Sequence, residues 1–157
     1  IYEKMELCTQ NDIRYAMCNI KTLNLLPSVL CAENARKNGC GEGVFVRDGF
    51  VTECSHSNIS ILKNGKLITA PADCHILPGV TRAHLIEAAK KHGVEVVEEK
   101  YTKNELFEAD EIIVTSSSKL ARGVKKIDSR PVGGKDEKTL LLLQNEIYGS
   151  YISATQI

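Results

Sequence analysis

The sequence predicts a mixed α/β (α+β) fold, a mixed sheet with flanking helices, because extended and helical signals alternate along a chain whose composition suits one core. Its 157 residues are 43% hydrophobic and 25% charged. A chain of this length buries roughly two-thirds of its unfolded surface, so neither disulfides nor a structural metal is needed to close a core. The 20 basic and 20 acidic side chains balance, which argues against a broad phosphate-binding face and hence against a nucleic-acid partner. No apolar run approaches the roughly 20 residues of a membrane helix. Six cysteines (Cys8, Cys18, Cys31, Cys40, Cys54 and Cys74) are scattered without the close pairing of zinc ribbons or redox motifs, so no metal site is expected. Reduced thiols and the cytoplasm are the corresponding expectations. The chain opens at Ile1 rather than Met, and is expected to be a piece of something longer.

Ile13 to Ile20 is largely apolar with β-branched and aromatic residues, which predicts a buried strand leading into Lys21. From Pro27 the spacing of Val29, Leu30, Ala32 and Ala35 suits a helix stopping at Asn38-Gly39, a common C-terminal cap pair. Strands are predicted at Gly43 to Arg47, Phe50 to Glu53, Ser57 to Lys63 and Lys66 to Ala70, with turns at Asp48-Gly49 and Asn64-Gly65, together an antiparallel meander. After Pro78-Gly79, Thr81 is the expected cap of a helix that ends at His92-Gly93. Val94 to Glu98 alternates as an edge strand does, a short helix follows at Lys103 to Phe107, and Glu111 to Val114 is β-branched enough for a central strand. Ala121 to Ile127 reads as another strand, and Lys135 to about Ala154 as a helix. There is no internal repeat, low-complexity stretch or linker.

Four segments can carry chemistry. A lysine amid apolar sequence, as Lys21 is, must snorkel to solvent, pair with a carboxylate, or lose its charge and become a Schiff-base amine. Glu53, in Val51-Thr52-Glu53-Cys54-Ser55-His56-Ser57-Asn58, is either a solvated turn residue or the partner of a protonated ring nitrogen. His56 is either an exposed histidine or a general base. Pro78-Gly79-Val80-Thr81 opens a helix, where free N–H groups and the helix dipole favour an anion, and Thr115 to Ser118 places four hydroxyls after a strand. Either is also plain capping or turn chemistry. Lysine, carboxylate and two anion cradles together are what pyridoxal phosphate requires.

Four ordered segments carry a resemblance. Cys18 to Leu26, Val51 to Asn58, Ile76-Leu77-Pro78-Gly79-Val80-Thr81-Arg82 and Val114-Thr115-Ser116-Ser117 resemble the class IV (fold-type IV) pyridoxal-phosphate aminotransferases, from about Ile13 onward. The resemblance implies the large C-terminal domain of the D-amino acid aminotransferase-like fold, a mixed sheet or pseudo-barrel. It implies pyridoxal 5'-phosphate as cofactor, with Lys21 bonded to it covalently and moving the proton at the substrate α-carbon. Glu53 would bind the pyridine nitrogen and Leu77 the ring face. The N–H groups of Val80 and Thr81 would hold the phosphate, with Ser116 or Ser117 on the other side, and Ser55, His56, Ser57 and Asn58 would lie near the ring. Two residues depart from the family pattern: Cys54 stands where glycine is usual, which raises the prospect of a shifted turn, and His56 stands where a hydroxyl residue is often found. The run Thr115 to Ser118 looks more like the D-amino acid enzymes than the branched-chain ones, and D-alanine with 2-oxoglutarate is the expected substrate pair. A lyase of the aminodeoxychorismate type, a branched-chain aminotransferase and a non-catalytic module that keeps the fold are the alternatives. Lys21 stands early in this chain but near the middle of family members, so residues 1–157 are expected to form a single cofactor-binding C-terminal domain, lacking the small N-terminal domain and inactive alone. The full-length protein is expected to be a homodimer.

Overall fold

The computed structural model describes residues 3–155. In chain order the elements are β1 (Met5–Asn11), α1 (Leu26–Lys37), β2 (Glu42–Arg47), β3 (Phe50–Cys54), β4 (Asn58–Lys63), β5 (Lys66–Thr69), α2 (Val80–Lys91), β6 (Glu95–Glu98), α3 (Lys103–Glu108), β7 (Glu111–Ser116), β8 (Leu120–Ile127), β9 (Arg130–Pro131) and α4 (Glu137–Thr155). The strands form one mixed sheet in the order β3, β2, β1, β8, β7, β4, β5, β6, with β9 on β8. Three pairings are parallel, β1 with β2, β1 with β8 and β5 with β6, and the others are antiparallel. The β-branched run expected at the centre is β7, and Val94 to Glu98 provides the edge strand β6. Among the described residues no helix is long and apolar enough to cross a membrane.

Connectivity forces this sheet to curl. β3 and β4 stand first and sixth in the order, which in a flat sheet is about 24 Å at the usual inter-strand spacing. Yet only residues 55–57 join them, and so short a link reaches no more than about 14 Å from Cys54 to Asn58. The six strands must therefore roll up until β3 lies near β4, as in a partly closed barrel. The core agrees: one cluster draws Leu7, Val44, Val51, Ile59, Ile112 and Val124 from all six of these strands, and so fills the inside of the curl. The alternate positions pack outward. Leu62, Leu67 and Ile113 meet Leu85, Ala89, Leu140 and Leu143 of α2 and α4. Strand periodicity sends Ile112 and Val114 one way and Ile113 the other, and a strand covered on both faces is buried almost throughout, as β7 is.

Three expectations are corrected. Ile13 to Ile20 is an exposed loop, and the strand lies earlier, at Met5–Asn11. The chain turns because Asp12 accepts from its near neighbour Arg14, at the amide (3.1 Å), at Nε (2.9 Å) and at Nη2 (2.9 Å), a local bond set that competes with a ladder. The four strands from Gly43 to Ala70 are not a continuous meander: β2–β3 and β4–β5 are hairpins, but β4 gives its second edge to β7 rather than to β3. Thr81 lies inside α2, whose N-cap is Gly79 with extended backbone (φ −69°, ψ 145°). Asn58 Oδ1 accepts from the Gly79 amide at 3.2 Å, just ahead of the first turn.

Candidate active site

The seam of the curl opens into a cavity of about 410 Å³, within the usual range for small-molecule sites. Lys21, Glu53, Ser55, His56, Ser57, Asn58, Leu77, Val80, Thr81, Ser116 and Ser117 all line it. Four separate stretches of sequence thus meet at one place.

Glu53 sits near the end of β3, buried. Its Oε1 accepts from Arg14 Nη1, while Oε2 accepts from Asn58 Nδ2 at 3.1 Å and from the Leu77 amide at 3.0 Å. Burial pushes the Glu53 carboxyl up to about 6, with the Arg14 cation and the Leu77 amide pulling the other way. Arg14 lies over the Phe45 ring at 4.3 Å and also pairs with Asp12 at 2.9 Å. Burial raises the Asp12 carboxyl, but bonds from Arg14 and Arg47 outweigh it and bring Asp12 to about 2. Arg14 was missed in the sequence because it falls within a stretch that reads as a strand, and only the fold reveals its carboxylate partner.

Asn58 joins two parts of the site. Its Nδ2 donates to Glu53 and to the Leu77 carbonyl (2.7 Å), and its Oδ1 accepts from the Gly79 amide. A Cβ on Gly79 would lie 2.3 Å from that Oδ1, so glycine is needed for the contact itself. No side chain caps α2, which leaves the N–H groups of its first turn aimed out of the helix end. Ser116 and Ser117, at the end of β7 and just after it, line the same cavity as that helix end. Thr115 Oγ1 is buried there without a hydrogen-bond partner.

A second carboxylate shapes the corner between β3 and β4. Glu42 is fully buried. It accepts from the His56 amide (2.8 Å), Ser57 Oγ (2.9 Å) and Lys119 Nζ (2.7 Å). Nothing in the sequence marks Glu42, since its partners assemble only when the sheet curls. Cys54 pairs with Val44 inside β3 and is not among the residues of positive φ, so the absent glycine introduces no left-handed strain. His56 is exposed, with Nδ1 3.0 Å from Ser55 Oγ and Nε2 3.4 Å from Lys119 Nζ. Lys21, expected at the end of a buried strand, stands instead on the exposed loop that follows β1.

Comparisons with known proteins bear on the family and the fold. The family model described as amino-transferase class IV matches residues 3–127. The chain is 44% identical over 120 residues to the D-alanine aminotransferase of Listeria monocytogenes serotype 4b (strain F2365), covering 76% of this chain and 42% of the relative. Against the D-alanine aminotransferase of Staphylococcus epidermidis (strain ATCC 12228 / FDA PCI 1200) it is 34% identical over 160 residues, covering 99% and 57%. Among solved structures, the branched-chain amino acid aminotransferase from Escherichia coli superposes with a TM-score of 0.84 at 28% identity, covering 93% of this chain and 52% of that one. A hypothetical aminotransferase from Mycobacterium tuberculosis, in its PLP-bound form, gives 0.83 at 25%, covering 94% and 57%. The chain spans about half the length of the curated relatives it matches. With most of its length matched by the family model and its fold shared with solved aminotransferases, the chain belongs to the class IV aminotransferase family.

Proposed function

We propose that this chain is the cofactor-holding C-terminal domain of a pyridoxal-phosphate-dependent aminotransferase that moves an amino group between a D-amino acid and a 2-oxo acid, with D-alanine and 2-oxoglutarate as the favoured pair. The observation that carries this reading is the meeting of Lys21, Glu53 and the uncapped start of α2 around one cavity. The likeness to the D-alanine aminotransferases supports the choice of substrates. The donor set fits the cofactor: an amine, a buried carboxylate, an open helix end for a phosphate and the unpartnered Thr115 hydroxyl beside it.

When bound, pyridoxal phosphate supplies an aldehyde that condenses with amines and a ring that takes up the electron pair left at the substrate α-carbon. The protein does the rest with fixed groups. Lys21 Nζ would be the amine that holds the aldehyde carbon, and as a free amine it would move the proton at the substrate α-carbon. Glu53 would hold the ring nitrogen in its protonated form, and Asn58, Arg14 and the Leu77 amide hold Glu53 in place. The amides of Val80 and Thr81 would hold the phosphate at the positive end of α2, Ser116 and Ser117 would add donors, and Leu77 would pack against the ring. Ser55, His56 and Ser57 would stand near the ring.

We further propose that the 157-residue chain does not turn over by itself, and that the full-length protein is a cytoplasmic homodimer. Apolar side chains on the Lys21 loop and α1 support an assembled state: Ile20, Leu23, Leu25, Leu26, Val29 and Leu30 are exposed, Leu23 by 97%. The test is to incubate the chain with pyridoxal phosphate, reduce with borohydride and map the added mass. A single phosphopyridoxyl group on Lys21 is expected. Diffuse labelling of surface lysines would overturn the assignment, and a strong transaminase rate from this chain alone would overturn its dependence on further domains.

A further inference from the structure

Two cysteines meet where the Lys21 loop touches the segment leading into α2. The Cys18 amide donates to the Cys74 carbonyl at 2.8 Å, a backbone bond between the loop and a segment 56 residues further along the chain. Covalent geometry then keeps the two Cα atoms within about 6.7 Å, and a disulfide spans Cα separations of about 4.4–6.8 Å. Cys18 is half-buried, and its Sγ donates to the Tyr15 carbonyl at 3.3 Å. Cys74 is exposed, with Sγ 3.8 Å from each ring nitrogen of His75. His75 Nδ1 is in turn 3.3 Å from Asp73 Oδ1. An accessible thiol next to an imidazole, itself oriented by a carboxylate, has a base at hand to take its proton.

We propose that Cys18 and Cys74 form a reversible disulfide in response to hydrogen peroxide, with Cys74 oxidised first and Cys18 as its resolving partner. Cys74 gives its proton to His75 and the thiolate attacks one peroxide oxygen. The S–O bond forms, the O–O bond breaks, and the departing hydroxide takes the proton from His75 and leaves as water. The Cys18 sulfur then attacks Cys74 Sγ, forming S–S and breaking S–O, and the hydroxide leaves as a second water with the Cys18 proton. Two thiols lose two electrons, and the peroxide gains them. A dithiol reductant reverses the bond by exchange. Only Cys74 has to be reached from solvent, because the second step is intramolecular.

The other thiols are poorly placed for this. Cys8, Cys31 and Cys54 are buried. Burial raises the Cys18 thiol, as it does Cys31, which reaches about 12, and Cys40, which reaches about 11 with the neighbouring Cys8, so what sets Cys18 apart is its place beside the exposed Cys74. The consequence of the Cys18–Cys74 bond reaches the site, because Cys18 lines the cavity and lies three residues before Lys21. A covalent staple would be added, close to Lys21, to the Cys18–Cys74 hydrogen bond and the Arg14 contacts that already hold that loop.

The experiment treats this chain, without cofactor, with a small excess of hydrogen peroxide and maps the non-reduced digest by mass spectrometry. The expected result is a loss of about 2 Da, one S–S bond from two thiols, in one linked peptide pair containing Cys18 and Cys74, reversed by dithiothreitol. Trypsin cleavage after Lys21 should slow several-fold in the oxidised form. In C18S, dimedone should trap a sulfenic acid on Cys74, while C74S should leave Cys18 unlabelled. His75→Ala should slow oxidation several-fold at unchanged circular dichroism. A linkage of Cys8 to Cys40, links only between molecules, or retention of both thiols under peroxide would overturn the proposal. None of these outcomes depends on Lys21 labelling, so failure here and failure of the cofactor assignment are separately visible.

Discussion

At Glu53, burial and Arg14 act in opposite directions, and the balance leaves the carboxyl near 6. A protonated ring nitrogen favours the anion, so binding cofactor should pull this value down. By linkage, affinity is complete above the value of the free site and is lost as pH falls through it, by up to about tenfold per unit. Titration of pyridoxal phosphate binding by absorbance from pH 8 to pH 5 should therefore show weakening below about pH 6, and Glu53→Gln should bind weakly without that step. Asn58→Ala removes partners from Glu53 Oε2, the Leu77 carbonyl and the Gly79 amide together. With several buried groups left unpaired, it should cost about 2–4 kcal/mol in urea denaturation and weaken cofactor binding as well. Glu53 and Asn58 were legible in the sequence because their local motif is compact. Arg14 and Glu42 were not, because a charge on a strand or loop says nothing of a partner 39 residues away, as Glu53 is from Arg14.

At the scale of elements, periodicity located most strands and helices but failed at Ile13 to Ile20. Apolar residues there read as core because burial is their usual reason for clustering. In this chain several of them, including Ile20, face the cavity or the exposed surface beside it, so the same pattern marks a binding surface. The meander failed for a different reason: hairpin turns are local signals, whereas the choice of β7 over β3 as partner for β4 is set by the curl of the whole sheet. The start of α2 shows how narrow the tolerance is. Gly79→Ala would bring Cβ within 2.3 Å of Asn58 Oδ1. Asn58 would be displaced, with an expected loss of about 1–3 kcal/mol in denaturation. The telling readout is cofactor affinity, which should fall further than for Ala83→Gly, one turn into the same helix.

Across the whole molecule, the apolar surface around α1 is the feature that a self-contained fold does not explain. Leu26 and Leu30 lie one turn apart on α1 and are 69% and 54% exposed. Leu26→Asp with Leu30→Asp should shift sedimentation toward the monomer while leaving the native circular dichroism intact. The curl has a further consequence for how the protein is made. β3 and β4 are held near one another as soon as residue 58 has been synthesised, but β1 and β4 both need strands that end at Ile127 and Ser116. At ribosomal speeds of about 5–20 residues per second, those two edges wait unpaired for on the order of several seconds. They are the strands that a chaperone, or another nascent chain, meets first.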